Sequence, residues 1–159
     1  MDTKIVEIEG EKLEIRQLQK EDKEIFWEYF QSLSEKTKNY FQPHPFDKET
    51  AEKLCDENDP NIIRFIAVEK ANNKEKVIGY TFLARTNEEF PGLGIGIRDD
   101  YQGEGLGKVL MEHLVEVAKS LEKKGLSLTV FEDNKDAFHL YSKLGFKVER
   151  TTYTMRLKF

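Results

Sequence analysis

The stretch Leu93-Gly94-Ile95-Gly96-Ile97-Arg98-Asp99-Asp100-Tyr101-Gln102-Gly103-Glu104-Gly105-Leu106-Gly107-Lys108 decides how this chain reads. It opens as a strand over 93–98, with glycine at 92, 94 and 96. Glycine at alternate positions leaves one strand face bare, and a bare face often lies against something that approaches the backbone closely. A loop over 99–104 follows. From Gly105 to about Glu122 the pattern is helical, with Leu106, Val109, Leu110, His113, Leu114, Val117 and Leu121 on one stripe. Lys123-Lys124-Gly125 stops that helix. A helix start presents backbone N–H groups with no intrahelical partner, and the helix dipole adds partial positive charge there. Glycines at 103, 105 and 107 let an anion approach the backbone, so the segment is a phosphate or pyrophosphate cradle, with Lys108 as a nearby cation.

Two common phosphate motifs do not fit. A P-loop requires Ser or Thr after Gly-Lys, but Val109 follows Lys108, and Gln102 stands where its first glycine belongs. A dinucleotide fingerprint requires Gly-x-Gly-x-x-Gly, but the glycines here are spaced by two throughout and no acidic residue sits at the required distance.

Outward from this segment, Lys4–Ile8 and Leu13–Leu18 alternate about the turn 9–12 and read as a hairpin. Residues 20–33 read as a helix with Ile25, Phe26, Tyr29, Phe30 and Leu33 on one face, and 39–46 as irregular because Pro43 and Pro45 bracket His44. Asp47 caps a helix to about Glu57. Ile62–Glu69 and Lys76–Arg85 are strands apolar on both faces, joined at 71–74. Strand 126–131, helix 134–144 and a last strand over 146–157 complete the order ββ, helices, βββ, α, β, α, β. That order implies a mixed α/β sheet covered on both faces.

The 159 residues are the size of one domain and can bury a core without staples, to which 11 Phe and 6 Tyr contribute. The net charge of −5 and the even spread of basic residues speak against a nucleic-acid partner. Cys55 is the one cysteine, so no internal disulfide forms. With no apolar leader at 1–7 and no run near the ~20 residues of a membrane span, a soluble cytoplasmic protein without a membrane partner is expected. The three histidines are scattered and predict no metal site.

Gln102-Gly103-Glu104-Gly105-Leu106-Gly107 fits the pattern Gln/Arg-x-x-Gly-x-Gly/Ala. A second block, Asn134 through Tyr141 to Leu144-Gly145-Phe146, follows downstream. On these two blocks the chain resembles the GNAT superfamily of acyl-CoA-dependent N-acetyltransferases, well over 62–148 and in outline before that. The resemblance implies a single domain over 1–159, with a central, mixed but mostly antiparallel twisted sheet of about six to seven strands flanked by helices. It implies acetyl-CoA as co-substrate, a primary amine of a small molecule, amino acid or peptide/protein as acceptor, and a monomer or homodimer.

Residue by residue, the resemblance puts Ile95, Gly96 and Ile97 on the strand that pairs with the pantetheine arm. It puts Gln102, Gly103, Glu104, Gly105, Leu106, Gly107 and Lys108 around the pyrophosphate, and Asn134 on the cofactor arm. Tyr141 would protonate the departing thiolate. Thr129 stands where some members carry a basic Glu, so the base is assigned to Glu89, near the start of the pantetheine strand, with Glu88 beside it. Simpler readings stand beside these. Tyr141 shares an apolar face with Ala137, Leu140 and Leu144 and is also a core tyrosine, and Asn134 is an ordinary N-cap residue. Glu88-Glu89 reads equally as solvated loop, His113 as a core histidine, His139 as a surface residue, His44 as part of a turn and Cys55 as packing. Thr129 also motivates an alternative function, a non-catalytic acyl-CoA-binding sensor or subunit. A third alternative is an interaction domain with no cofactor.

Overall fold

The computed structural model describes all 159 residues. The chain divides into two compact units, Met1–Thr129 and Val130–Phe159. The first unit is built on a five-stranded antiparallel sheet in the order β1-β2-β3-β4-β5. The strands are β1 Lys4–Ile8, β2 Glu11–Gln17, β3 Ile62–Ala71, β4 Lys74–Ala84 and β5 Gly92–Ile97. Between β2 and β3 run α1 Lys23–Ser32, α2 Glu35–Tyr40 and α3 Lys48–Asp56, and α4 Leu106–Ser120 follows β5. No helix is long and apolar enough to cross a membrane.

Local chemistry fixes the hairpins. Ile8 pairs with Glu11 and Ala71 with Lys74, so each loop has two residues. Both central residues are left-handed in each loop: Glu9 and Gly10 at φ 50° and 82°, Asn72 and Asn73 at 52° and 61°. This is the type I′ geometry that matches strand twist.

The sheet has a core on each face. Phe26, Tyr29 and Phe30 of α1 and Leu54 of α3 pack on Ile66, Val68 and Tyr80. Leu106, Leu110 and Leu114 of α4 pack on Phe65, Ala67, Ile78 and Leu83. The β3–β4 register slips between Ala67 and Val68, beside Gly79. There α4 lies close: a Cβ on Gly79 would meet Leu110 Cδ1 at 3.1 Å and Leu106 Cδ2 at 3.3 Å. That approach seats the first turn of α4 against the sheet.

The structure corrects several expectations. The first helix opens as a 3-10 turn, Lys20–Asp22. Arg16 grips Asp22 there with two 2.8 Å hydrogen bonds, and Gln19 N–H donates to the same carboxylate at 2.7 Å. A short helix, α2, precedes the irregular segment. The strand count is five, not six to seven, because 126–131 contributes only one parallel bridge, Ser127 with Gly92, and 146–157 forms no strand. Alternating apolar residues suit a half-buried surface, but a strand also requires a partner ladder, which alternation does not encode.

The second unit holds one helix, α5 Lys135–Lys143. Its end explains the Leu-Gly-Phe sequence. Gly145 is left-handed at φ 97°, Phe146 N–H donates to Tyr141 O at 3.0 Å and Gly145 N–H to Ser142 O at 3.1 Å. This is a Schellman stop, and the Tyr141–Phe146 ring contact at 5.9 Å is the apolar pair that accompanies it.

Candidate active site

β5 is bonded to β4 along one edge, from Ala84 opposite Gly92 to Gly79 opposite Ile97. Its other edge is closed only at the start, where Ser127 N–H donates to Pro91 O at 2.9 Å and Leu93 N–H to Ser127 O at 3.1 Å. Beyond that point β5 is the last strand of the sheet. Backbone groups alternate between the two edges of a strand. Leu93 N–H points away from β4, whereas Arg98 N–H turns toward it and meets Ile78 O at 2.9 Å. The N–H and C=O of Ile95 and Ile97 therefore face the open edge, where an extended amide chain can pair with them.

The bare face of β5 is filled by the protein itself. A Cβ on Gly94 would come within 2.6 Å of the Phe82 ring, and one on Gly96 within 2.4 Å of Phe41. Tyr29 Oη donates to Gly96 O at 2.7 Å and Thr81 Oγ1 to Gly94 O at 2.7 Å. The alternate glycines thus admit aromatic rings from α1, β4 and the segment after α2. What stays open on β5 is its edge, not the glycine face.

At the end of β5 the chain turns into α4. Gly103 and Gly105 are left-handed, at φ 79° and 88°, and open space lies where their Cβ atoms would be. Gly105 is the N-cap of α4 and no side chain caps the helix. Val109 N–H is bonded back to Gly105 O at 3.3 Å, which leaves the N–H groups of Leu106, Gly107 and Lys108 as the orphan donors of the first turn. Orphan donors, positive dipole end and glycine hinge coincide at one place, which is the chemistry of a pyrophosphate cradle.

Several neighbours brace the loop. Asp99 accepts Ser34 N–H at 2.9 Å and Ser34 Oγ–H at 2.5 Å, and Thr37 Oγ1 lies 3.2 Å away. Burial works against the Asp99 carboxylate, but these hydrogen bonds outweigh it and hold it below the usual range. Gln102 Nε2 donates to Ile97 O at 2.9 Å and Thr37 Oγ1 at 3.1 Å. Ser34 and Thr37 lie more than 60 residues from their partners, and nothing in the sequence signals the link.

A second polar chain centres on Tyr80 of β4. Glu57 pairs with Arg64, Arg64 Nε donates to Tyr80 Oη at 3.2 Å, and Tyr80 Oη lies 3.3 Å from His44 Nε2. His44 Nδ1 sits 2.8 Å from Pro45 O, an acceptor only, so Nδ1 carries the proton and Nε2 receives that of Tyr80. Burial holds His44 below the usual imidazole range and pushes Tyr80 up to about 12.

The residues expected from the sequence fall into distinct places. Ile95, Gly96 and Ile97 lie on the half-open strand, and Gln102 through Lys108 form the turn into α4. Within that turn, Gln102 is a brace, the Leu106 side chain is buried in the α4 core, and Lys108 points to solvent near Glu112 at 3.9 Å. Leu106 thus offers the site its backbone alone. Glu89 lies exposed on the loop before β5 in an ion pair with Lys124, and Glu88 contacts Arg85. Asn134 and Tyr141 belong to the second unit, on one face of α5, since seven residues make about two turns. The Asn134 side chain makes no capping bond. Burial raises the Tyr141 hydroxyl above its usual range, so it keeps its proton at neutral pH.

The model of the acetyltransferase (GNAT) family matches residues 20–146. The chain belongs to this family. Among solved structures, the GNAT domain of S. lividans PAT superposes with a TM-score of 0.81 at 15% identity, over 95% of this chain and 91% of that one. The acetyltransferase of GNAT family from Streptococcus pneumoniae gives 0.68 at 26% identity, over 92% and 94%. Among characterised relatives, the peptidyl-lysine N-acetyltransferase YjaB of Salmonella typhimurium is 33% identical over 61% of this GNAT chain and 59% of its own length. The L-amino acid N-acetyltransferase AaaT of Escherichia coli is 28% identical over 69% and 67%. The ribosomal protein bS18-alanine N-acetyltransferase of Escherichia coli is 44% identical over a third of each chain.

Proposed function

We propose that this GNAT protein, as one domain over 1–159, transfers an acetyl group from acetyl-CoA to a primary amine of a small molecule, amino acid or peptide/protein. The observation that carries the proposal is the uncapped start of α4, entered through two left-handed glycines directly after a strand with one open edge. Pyrophosphate takes the N–H groups at 103–108, and the amides of the pantetheine arm pair with Ile95 and Ile97. The arm ends where Ser127 closes the edge at Leu93.

The amine nitrogen bonds to the acetyl carbon as the C–S bond breaks, and the nitrogen then releases its extra proton to solvent to leave the neutral amide. Tyr141, still protonated at neutral pH, gives its proton to the thiolate and regains one from solvent. An ammonium acceptor must first lose a proton, and Glu89, exposed to solvent, takes it through water. Asn134 holds the cofactor arm with the side chain it does not use as a cap.

The test is thiol release from acetyl-CoA with a panel of amines. Tyr141→Phe is expected to lower kcat by on the order of 100-fold while CoA affinity stays the same, and Glu89→Gln to lower kcat at low pH more than at high pH. A wild-type protein that binds CoA but turns over no amine would instead support the sensor reading motivated by Thr129.

A further inference from the structure

At Ile97 the open edge of β5 already carries one bond. Gln102 Nε2 donates to Ile97 O at 2.9 Å. This carbonyl faces away from β4, on the edge assigned above to the cofactor arm. The donor is a primary amide. Its N–H makes with Ile97 the bond that an amide N–H of an extended chain makes with a strand edge. Gln102 Nε2 also donates to Thr37 Oγ1 of α2 at 3.1 Å. Both donors of one exposed side chain are thus engaged, one on β5 and one on α2.

The backbone around Gln102 does not depend on these two bonds. On one side of it, Asp99 is held by Ser34 and Thr37. Next to it, Tyr101 Oη donates to Glu69 of β3 at 2.5 Å, and Lys76 Nζ of β4 lies 4.9 Å from the Tyr101 ring centre. Gln102 N–H itself donates to Asp99 O at 3.4 Å. The loop is fastened to α2 and to the sheet by its neighbours, so a rotation of the Gln102 side chain needs no movement of the loop.

We infer that Gln102 is a latch on the cofactor arm: its side-chain amide ties the Ile97 carbonyl to α2 until an amide N–H of the pantetheine arm takes that carbonyl and releases it. The inference rests on the acetyl-CoA reading above and adds to it a residue that links cofactor binding to α2. The latch responds to the arm and not to the phosphates. A nucleotide with the pyrophosphate but no arm fills the cradle at 103–108 and leaves Gln102 in place. CoA displaces it, and α2 loses its link to β5 through Thr37.

The test compares CoA with adenosine 3′-phosphate 5′-diphosphate, the same nucleotide without the arm, on the full chain. The Gln102 side-chain amide is assigned in 1H–15N spectra as the signal pair missing from Gln102→Met. Both ligands should move the backbone amides of Gly103 to Lys108. CoA alone should also move the Gln102 side-chain pair and the backbone amide of Thr37. Calorimetry supplies a second readout, the ratio of CoA affinity to nucleotide affinity. Any loosening of the cradle acts on both ligands and cancels in that ratio. Gln102→Met keeps a long unbranched side chain without its donors, and should raise the ratio about fivefold, the size of one net hydrogen bond. Thr37→Val should raise it by less, and Thr37→Ser should keep the wild-type value. A carbonyl has two lone pairs and can accept from both donors at once. In that case the Gln102 pair stays in place when CoA binds, which would overturn the inference, as would a ratio that Gln102→Met leaves unchanged or lowers. Failure of the parent reading looks different: neither ligand moves the amides of Gly103 to Lys108, and the inference falls with it.

Discussion

α3 and α4 begin in opposite ways. At α3, Asp47 turns its carboxylate back to the Thr50 N–H at 2.7 Å, and the helix supplies its own anion. Hydrogen bonds from Thr50 hold Asp47 below the usual carboxylate range. At α4 the N-cap is Gly105, with no side chain to turn back, and the first donors stay vacant. One start is finished by its own side chain; on the proposed function, the other is finished by the pyrophosphate of the cofactor. A binding site can thus be written as the omission of a residue that most helices carry.

The largest expected effect comes from giving α4 what α3 has. Gly105→Asp places a carboxylate at the phosphate position and should weaken CoA binding by on the order of 100-fold in calorimetry. An affinity within about threefold of wild type would break the comparison. Ser34→Ala sharpens it from the side of the brace. It removes the cap of α2, which accepts Thr37 N–H at 3.1 Å, together with a hydrogen bond to Asp99. A loss of about 1–2 kcal/mol in urea unfolding is expected, with a few-fold weaker CoA binding because the loop into α4 loosens. Asp47→Ala should lower the melting temperature by a few degrees and leave CoA affinity unchanged, since that helix start takes no ligand.

The smallest effect concerns the body of α4. His113 is buried edge-on to Phe65, with neither ring nitrogen partnered. Burial lowers its pKa, with Lys4 adding to the effect and Glu116 opposing it. A folded pKa below the unfolded value means that the unfolded chain takes up the proton first as pH falls. His113 and His44 therefore leave stability intact above about pH 6.5 and erode it below. His113→Leu should raise stability by about 1 kcal/mol and flatten part of that slope in unfolding measured from pH 7 to 5.

Much of this was legible in the sequence because it is local. The β5–loop–α4 unit is one continuous stretch, and the two hairpin turns and the Asp47 cap each lie within a few consecutive residues. The Gly145 stop of α5 is equally local. What was not legible depends on distant partners. The glycines at 92, 94 and 96 announce a close approach but do not say that Phe41, Phe82 and Arg85 make it. Glu89 stands where a base is expected, but its Lys124 partner is visible only in the fold. The alternation at 146–157 reads as a strand, but alternation does not provide a partner, and no strand forms there.

The most direct measurement of the central claim is an amide 1H–15N titration of the protein with CoA. The amides of Gly103 to Lys108, together with Ile95 and Ile97, are predicted to shift as CoA is added, while the capped Thr50 amide stays in place. Saturable CoA binding that leaves the amides at the start of α4 unmoved, or no CoA binding at all, would contradict the account.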